Sequence, residues 1–392
     1  MTTEPTTTPP SLAEVLCLFQ STMWLPDPGI VYVVLASVVA NLMGSPPVWL
    51  LVVGPPSSGK TECLDALSQL AMCVDVSSFS EAGLLSGSAT RDGSGATGGV
   101  LMALPDPGIL VASDFGTLLN EHGATRNKLF ACLREVYDGK FIRRLGTNGG
   151  QTFAWAGHAG FIGACTEAID TPSIDLGVLG ERFTYYRLPE STPEDEYLAC
   201  VEADKTTGHL AQIREQRAAL VARFVSGLDL TQGFGAITEA EQERLSRLAA
   251  LGARCRSSVI REGYHREVEL VPGHERSTRL FRQLRHLHGG LRVIGASEDE
   301  TWRLVAQAAL DGMHPGRRKV LDYLMADPVA HATSAIAGHC RLPETTTRRH
   351  LQDLYAHEVI DRVGEYPERW RPSAWLRDTW LTVMSPDPEP AP

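Results

Sequence analysis

The sequence has no hydrophobic run long enough to cross a lipid bilayer. Its most apolar stretch, Ile30–Met43, is shorter than the roughly 20 residues that a transmembrane helix requires. We therefore expect a buried core helix in this stretch and no membrane among the partners of the protein.

Paired cysteine motifs are missing as well. The chain has 8 cysteines, but none of them forms a C-x-x-C pair and no secretory signal precedes them. This pattern favours free thiols in a reducing cytoplasm over disulfides or a zinc site.

An excess of positive charge is also absent, because 36 Lys and Arg face 47 Asp and Glu, for a net charge of -11. This balance argues against a protein that coats nucleic acid along its whole surface, although a local basic site remains open. A chain of 392 residues that is 43% hydrophobic can bury a large core, and we expect two or three structural units.

A glycine-rich loop follows a short apolar run and precedes a helical segment. Leu50–Thr61 reads LLVVGPPSSGKT, which contains the pattern G-x-x-x-x-G-K-T. Loops of this pattern turn backbone N–H groups towards phosphates, while the lysine reaches the β- and γ-phosphates and the hydroxyl holds Mg²⁺. We therefore predict an ATP and Mg²⁺ site whose nucleotide-binding residues are Gly54, Pro55, Pro56, Ser57, Ser58, Gly59, Lys60, Thr61 and Glu62.

A second apolar run ends in an acid, Asp114, and lies C-terminal to this loop. In P-loop enzymes such an acid holds the metal ion, so we predict Mg²⁺ ligation by Thr61 and Asp114. A plain helix-capping role for Asp114 is the alternative.

Three further features follow in order along the chain. Two β-rich runs around a glycine-rich turn, Lys140–Leu145 and Gln151–Trp155, predict a hairpin. Phe161–Thr166 predicts a strand with a polar tip, and Arg182 precedes another apolar run. Strands that alternate with helical segments predict an α/β fold with a parallel sheet and helices on both faces.

This order of motifs resembles the AAA+ ATPases, and within them the clade with a hairpin before the sensor-1 strand, which includes the MCM-type helicases. The resemblance covers about residues 30–310. It implies a P-loop NTPase αβα core with a helical lid, which assembles as a homo-oligomeric, hexameric ring. It also implies catalytic roles for Lys60 and Asp114, a sensor-1 role for Thr166, a trans-acting arginine finger at Arg182 and a sensor-2 contact from Arg279. Surface ion pairs are the alternative role for the two arginines.

The sequence departs from the family pattern at two places. Phe115 stands where the family usually has the glutamate that acts as general base, which leaves Glu121, Glu135 or Asp138 for this role or makes hydrolysis slow. The hairpin tip, Thr147–Gly150, carries no basic residue, although Lys140, Arg143 and Arg144 on the rising strand are candidate DNA contacts. The Gly-Ala-Phe-Thr-Gly-Ala loop of enhancer-binding activators is absent, which argues against that group.

The C-terminal segment has the pattern of a winged helix-turn-helix. Three helices are predicted at Gly316–Met325, Ser334–His339 and Thr345–His357, followed by two strands of a wing. Hydroxyl and cationic groups at the start of the third helix and on the wing suit contacts with DNA. The candidate contacts are Thr345, Thr346, Arg348, Arg349, Arg369 and Arg371. A winged helix that serves only protein contacts is the alternative.

These features predict a small set of domain boundaries. We expect disordered tails at residues 1–12 and 379–392, an ATPase core at 13–191, a helical lid at 192–311 and a winged helix at 312–378.

The sequence thus predicts an ATPase that acts on DNA as a replication-type helicase, an initiator or a remodeller, of a kind found in mobile elements or phages. The alternative is an ATP-gated transcriptional regulator with little turnover, which the Phe115 substitution favours. A small-molecule kinase fits less well, because no segment resembles a lid over an acceptor substrate.

Overall fold

The computed structural model describes residues 8–76, 80–85, 99–144, 152–171, 181–263, 267–364 and 368–384. The chain divides into two compact units, one of residues 1–235 and 286–301 and the other of residues 236–285 and 302–392. The sequence-based boundaries at residues 191 and 311 stay predictions. Within the described ranges, no helix is long and apolar enough to cross a membrane.

A parallel sheet forms the centre of the first unit. Its strands are β1 (Trp49–Val53), β2 (Cys73–Asp75), β3 (Gly108–Ala112), β6 (Ala159–Cys165) and β7 (Phe183–Arg187). They lie in the order β2–β3–β6–β1–β7, and every neighbouring pair is parallel. Every residue of β1, β3 and β6 is buried, which explains why these strands read as continuous apolar runs without alternation. The predicted α/β class with a parallel sheet is confirmed.

Among the described residues, the remaining elements that lie wholly in the first unit are nine helices, a short 3-10 helix at Glu167–Asp170 and an antiparallel hairpin. The hairpin pairs β4 (Lys140–Arg144) with β5 (Thr152–Ala156) where it was predicted, and its tip lies outside the described residues. The helices are α1 (Leu12–Thr22), α2 (Gly29–Met43), α3 (Lys60–Asp65), α4 (Glu81–Leu85), α5 (Val100–Ala103), α6 (Gly116–Leu119), α7 (Gly123–Tyr137), α8 (Pro193–Thr206) and α9 (Leu210–Ser226).

Local sequence explains the clearest of these helices. Capping boxes start two of them, formed by Ser11 with Glu14 and by Thr192 with Asp195. The apolar stretch that was predicted as a core helix forms α2, which is buried at 12 residues. A helix that is apolar on all sides is stable only in the interior, and α2 packs against β1, β3 and β6.

Strand β1 lies where the chain connections diverge. From β1 the chain crosses β6 and β3 to reach the edge strand β2, whereas from β6 it crosses β1 to reach the opposite edge strand β7. In open parallel sheets, ligands bind beyond the carboxyl ends of the strands at such a divergence. The fold therefore places the loop after β1 at the position where a ligand site is expected.

A helical bundle and a small antiparallel sheet make up the second unit. Its helices include α10 (Glu239–Arg256), α13 (Pro315–Ala326), α14 (Thr333–Cys340), α15 (Glu344–Ala356) and α16 (Ala374–Met384). A hairpin of β8 (Ile260–Arg261) and β9 (Val268–Leu270) follows α10. Helices α11 (Thr278–Val293) and α12 (Glu298–Leu310) contribute residues to both units.

The small sheet has the strand order β10–β12–β11, where β10 is His331–Ala332, β11 is Ile360–Val363 and β12 is Arg369–Pro372. Trp370 of β12 is 1% exposed and donates a hydrogen bond from Nε1 to Thr333 Oγ1 at 3.0 Å. This tryptophan anchors the sheet to the helices.

The predicted C-terminal tail starts too early. Helix α16 continues to Met384 and buries Thr379 and Val383, so residues 379–384 belong to the folded unit. Its apolar residues pack towards α10, which is distant in sequence. Residues 1–7 and 385–392, where tails were predicted, lie outside the described residues.

Candidate functional site

The G-x-x-x-x-G-K-T loop connects the buried strand β1 to helix α3. Gly54 is buried, and a Cβ atom at this position would lie 2.8 Å from the side chain of Leu188. Gly59 has φ of +80°, and a Cβ atom there would lie 2.3 Å from Met23 Cε. The two glycines of the motif are therefore required by close packing and, at Gly59, by a left-handed backbone.

Lys60 lies inside the loop that precedes it. Its Nζ donates hydrogen bonds to Gly54 O at 2.9 Å, to Pro55 O at 2.6 Å and to Ser58 Oγ at 3.1 Å. Burial lowers the pKa of Lys60, while the nearby Cys165 and Glu167 partly oppose this shift. The ammonium group is thus held by neutral oxygen atoms, beyond the carboxyl end of the sheet.

The two residues after Lys60 have different surroundings. Thr61 is exposed, and its side chain is accessible to a ligand. The carboxylate of Glu62 accepts hydrogen bonds from Arg214 at 2.5 Å and from Arg217 at 3.2 Å. Glu62 therefore connects α3 to α9, and its predicted contact with nucleotide stays a prediction.

Asp114 follows β3 and is exposed at the carboxyl end of the sheet. Phe115, the next residue, is 0% exposed and points into the core, where its ring lies 5.6 Å from those of Phe161 and Phe183. The backbone at this strand end therefore directs consecutive side chains to opposite sides. Asp114 lies on the solvent side.

The end of β6 lies beside the loop. Burial raises the pKa of the Cys165 thiol to about 12, and the charges of Arg187, Lys60, Asp170 and Asp114 also act on it. The carbonyl oxygen of Cys165 accepts a hydrogen bond from Gly54 N at 3.3 Å, which places the end of β6 directly beside the loop. The predicted sensor residue, Thr166, directly follows Cys165.

Two charged side chains near the carboxyl end of the sheet were not among the site residues predicted from the sequence. Glu167 is exposed and close enough to Lys60 to influence its pKa. Arg187, at the end of β7, forms two hydrogen bonds of 2.8 Å with Asp170. Their position in the sequence could have identified them, because each charged residue stands at the carboxyl end of a predominantly apolar strand.

In this structure, the partner of Arg182 is an acid of the same subunit. Its Nη2 contacts both carboxylate oxygens of Asp138, at 3.0 and 3.2 Å, and its guanidinium lies 5.3 Å from the centroid of the Tyr137 ring. The side chain is 10% exposed. A role in a neighbouring subunit stays a prediction, and it requires this arginine to exchange Asp138 for another anion.

The second unit contains Arg279, the predicted sensor-2 residue. Its Nη1 lies 3.4 Å from Glu275 Oε1, and this glutamate is also bound by the buried Arg256 at 2.5 Å. A nucleotide contact of Arg279 stays a prediction.

The candidate DNA contacts of the second unit lie on α15 and on the small sheet. Thr345, Arg348 and Arg349 are exposed, and Thr346 is half-buried. Arg369 and Arg371 are also exposed, and Arg371 lies 3.5 Å from Asp361. Three residues, 341–343, separate α14 from α15, which is the length of a helix-turn-helix connection.

Two arginines fix the position of α15. Asp353 is bound by Arg261 of β8 at 2.5 Å and by Arg317 of α13 at 2.7 Å. Arg261 also donates to Gln352 Oε1 at 2.8 Å and to Arg349 O at 3.1 Å. These charge-assisted bonds connect α15 to its neighbours β8 and α13.

The hairpin of the first unit presents different groups on its two faces. Lys140 and Ile142 are exposed, whereas Phe141 is buried and Trp155 packs against the core of the sheet. Arg143 is half-buried, and the side chain of Arg144 lies outside the described residues. The predicted DNA contacts on this hairpin stay predictions.

No protein-family model and no curated protein matches this sequence. Among solved structures, the chain is similar to a candidate ATPase from Cytophaga hutchinsonii ATCC 33406, with 10% identity, a TM-score of 0.44 and coverage of 77% of this chain and 86% of that one. It is also similar to the C-terminal region of NrS-1 in its apo form, with 14% identity, a TM-score of 0.32 and coverage of 95% and 79%. The ORC1 protein of Aeropyrum pernix, solved in complex with DNA, gives 14% identity, a TM-score of 0.28 and coverage of 94% and 95%. At these TM-scores, the likenesses assign no role to any residue of this chain.

Proposed function

We propose that this protein is an AAA+ ATPase that binds ATP with Mg²⁺ and uses its hydrolysis to act on DNA. One observation carries the proposal: the G-x-x-x-x-G-K-T loop follows the strand at which the sheet connections diverge. Lys60, Asp114 and Thr166 follow the carboxyl ends of three adjacent strands, β1, β3 and β6, which supports the proposal.

The residues of this edge fit a nucleotide and its metal ion. Lys60 is bound by three neutral oxygen atoms, which phosphate oxygens can replace with a gain in charge pairing. Thr61 and Asp114 are exposed oxygen donors of the kind that Mg²⁺ prefers. When bound, the metal ion would neutralise charge that develops on the phosphates during hydrolysis.

Glu167 is the acid that best replaces the missing glutamate. Phe115 is buried in the core, and Asp138 pairs with Arg182. Glu167 is exposed and lies two residues after the end of β6, on the side of the sheet that holds the loop, which supports it as the acid that accepts a proton from an attacking water. Glu167→Gln should lower turnover by about 100-fold or more while nucleotide affinity stays within about threefold. Unchanged turnover in this variant would reassign the base to Glu121 or Glu135.

The trans role of Arg182 has a direct test in mixed oligomers. Lys60→Ala removes the phosphate-binding ammonium, and Arg182→Ala removes the finger, so each variant alone should have little turnover. In a mixture, the Lys60 of one variant and the Arg182 of the other complete a site between subunits, and turnover should partly return. If mixing restores nothing while both variants still bind to each other, Arg182 has no trans role.

The proposed action on DNA depends on the second unit, which we propose to be a winged helix with α15 as its reading helix. Exposed hydroxyl and cationic groups at the start of α15 and on β12 support this assignment. The affinity of the full chain for duplex DNA should fall steeply with salt, and Arg349→Ala should reduce the log–log slope by about one. Duplex binding that does not depend on salt would contradict the proposal.

A transcriptional regulator that is gated by ATP is the second candidate, and the burial of Phe115 favours it because the usual general base is missing. The two functions differ in turnover. An ATPase that acts on DNA should hydrolyse ATP faster in the presence of single-stranded or duplex DNA, and Arg182→Ala should abolish this stimulation. The regulator should bind one duplex sequence tightly with negligible turnover.

A further inference from the structure

A pocket of about 430 Å³ lies in the second unit between the C-terminal halves of α13 and α14. The residues that matter for its chemistry are Lys319, Asp322, Tyr323, His339, Cys340 and Arg341. None of them belongs to the nucleotide site or to the candidate DNA contacts. Pockets of this size hold small ligands, with a few polar groups that fix the orientation of the ligand.

The charges around the pocket favour an anion. Lys319 and Arg341 each bring a positive charge and Asp322 brings a negative one, and Arg318 offsets part of that negative charge because its Nε contacts both carboxylate oxygens of Asp322 at 2.9 Å. Burial raises the pKa of the Cys340 thiol, so this side chain is neutral and adds no negative charge. An anion in the pocket would therefore meet two cations and one carboxylate that is already paired.

The backbone of Arg341 is an independent sign of a function. This residue ends α14 with φ of +53° and ψ of +43°, a left-handed conformation in which glycine is the usual residue. The turn needs only the backbone, since Leu342 N donates to Ala337 O at 3.1 Å whatever the side chain at residue 341. A long cationic side chain at a position that favours glycine suggests that the guanidinium is used.

One wall of the pocket is aromatic and held in place. The rings of Tyr323 and His339 lie 4.5 Å apart, and the Tyr323 hydroxyl is 3.2 Å from His331 Nδ1. The other nitrogen of His331 is 3.0 Å from Asp327 O, which fixes this imidazole in turn. The wall therefore presents aromatic rings, positioned by these contacts, against which a ligand can pack.

From this arrangement, we propose that the pocket binds a phosphate group, with Lys319 and Arg341 as its ligands. The planar guanidinium fork of an arginine matches phosphate oxygens, and a lysine supplies a compact second charge. The phosphate can come from a small phosphorylated molecule or from the backbone of DNA bound to the same unit. The site does not depend on nucleotide binding at Lys60.

The key variant is Arg341→Gly, because glycine adopts the left-handed conformation without strain. This variant should keep or raise the thermal midpoint of the full chain, so a loss of binding cannot come from misfolding. Lys319→Gln removes the second cation, and Arg377→Gln, an exposed arginine of α16, is the matched control.

Two probes separate the sources of the phosphate, namely inorganic phosphate measured by calorimetry and short duplex DNA measured across a salt series. Binding of inorganic phosphate that both pocket variants weaken about tenfold or more supports a small phosphorylated ligand. No binding of inorganic phosphate, together with a salt slope for duplex binding that falls by about one in each variant, supports the DNA backbone. If neither probe distinguishes the pocket variants from Arg377→Gln, the pocket does not bind phosphate.

Discussion

Asp114 and Phe115 are adjacent in sequence, yet they serve opposite sides of the strand end. Asp114 is exposed at the carboxyl end of the sheet, whereas the Phe115 ring lies 5.6 Å from the rings of Phe161 and Phe183, which in turn pack against Trp49. The position at which the AAA+ pattern has a glutamate is therefore part of the hydrophobic core of the first unit. A general base at this strand end must therefore come from another element, as we propose for Glu167.

Phe115→Glu tests this interpretation. The substitution introduces the glutamate that the proposed AAA+ function would lead us to expect here but places a carboxylate in an aromatic core, so it should lower the free energy of unfolding by about 3–5 kcal/mol or more and leave turnover no faster. The exposed Asn120→Glu is the control and should change stability by about 0.5 kcal/mol at most. A stable Phe115→Glu protein with faster hydrolysis would show that this side chain faces the nucleotide.

Lys60 should make nucleotide affinity dependent on pH. Burial lowers the pKa of its ammonium group below the usual value of about 10.4, so the folded protein releases this proton at a lower pH than the unfolded chain. The contribution of Lys60 to stability therefore rises as the pH increases through this lowered pKa. Phosphates favour the charged form, so nucleotide affinity should fall over the same pH range.

Dissociation constants measured at increasing alkaline pH check this, and the fall should be absent in Lys60→Arg, whose side chain stays charged. Equal pH profiles for the two proteins would exclude Lys60 as the group that titrates.

At the scale of elements, the G-x-x-x-x-G-K-T loop is connected to α1 and α9 by a network around one buried arginine. Arg217 is 1% exposed and donates to Glu62 Oε2 at 3.2 Å, to Thr22 O at 3.0 Å and to Thr22 Oγ1 at 2.7 Å. Glu62 lies two residues after Lys60. We therefore expect that a movement of the loop on nucleotide binding also shifts α9, through the Glu62–Arg217 contact. Arg214 contacts the same carboxylate from a more exposed position.

Comparison of Arg217→Ala with Arg214→Ala should reveal the effect of burial. Arg217→Ala breaks a buried pair and should lower the free energy of unfolding by about 3 kcal/mol. Arg214, at 45% side-chain exposure, should contribute about 0–1 kcal/mol. Chemical denaturation of the two variants measures both values, and equal losses would contradict the ranking.

For the molecule as a whole, the sequence was sufficient to predict most of the central architecture. The strands β1, β3 and β6 are continuous apolar runs, and the hairpin has β-rich segments around a glycine turn, so each has a strong local signal. The strands β2, β8, β9 and β10 were missed, because they are two or three residues long and have no such pattern.

The candidate site was less predictable than the fold. The glycines and Lys60 follow from a local motif, whereas the partners of Arg182, Arg187 and Glu62 depend on the tertiary structure. The pair of Arg182 and Asp138 joins residues that are 44 positions apart, and Arg217 reaches Glu62 across 155 positions. A single sequence contains no signal for such pairs, which decide whether an arginine is held in its own subunit or is available to another.

Nucleotide binding at the loop after β1 is the central claim, and the binding of ATP with Mg²⁺ to the full chain, measured by calorimetry, tests it most directly. The wild type should bind in the micromolar range, and Lys60→Ala should bind about 100-fold or more weakly, because the charge-assisted hydrogen bonds to the phosphates are lost. The exposed Lys128→Ala of α7 is the control and should bind like the wild type. Equal affinity of the wild type and Lys60→Ala, or no binding by the wild type, would contradict this account.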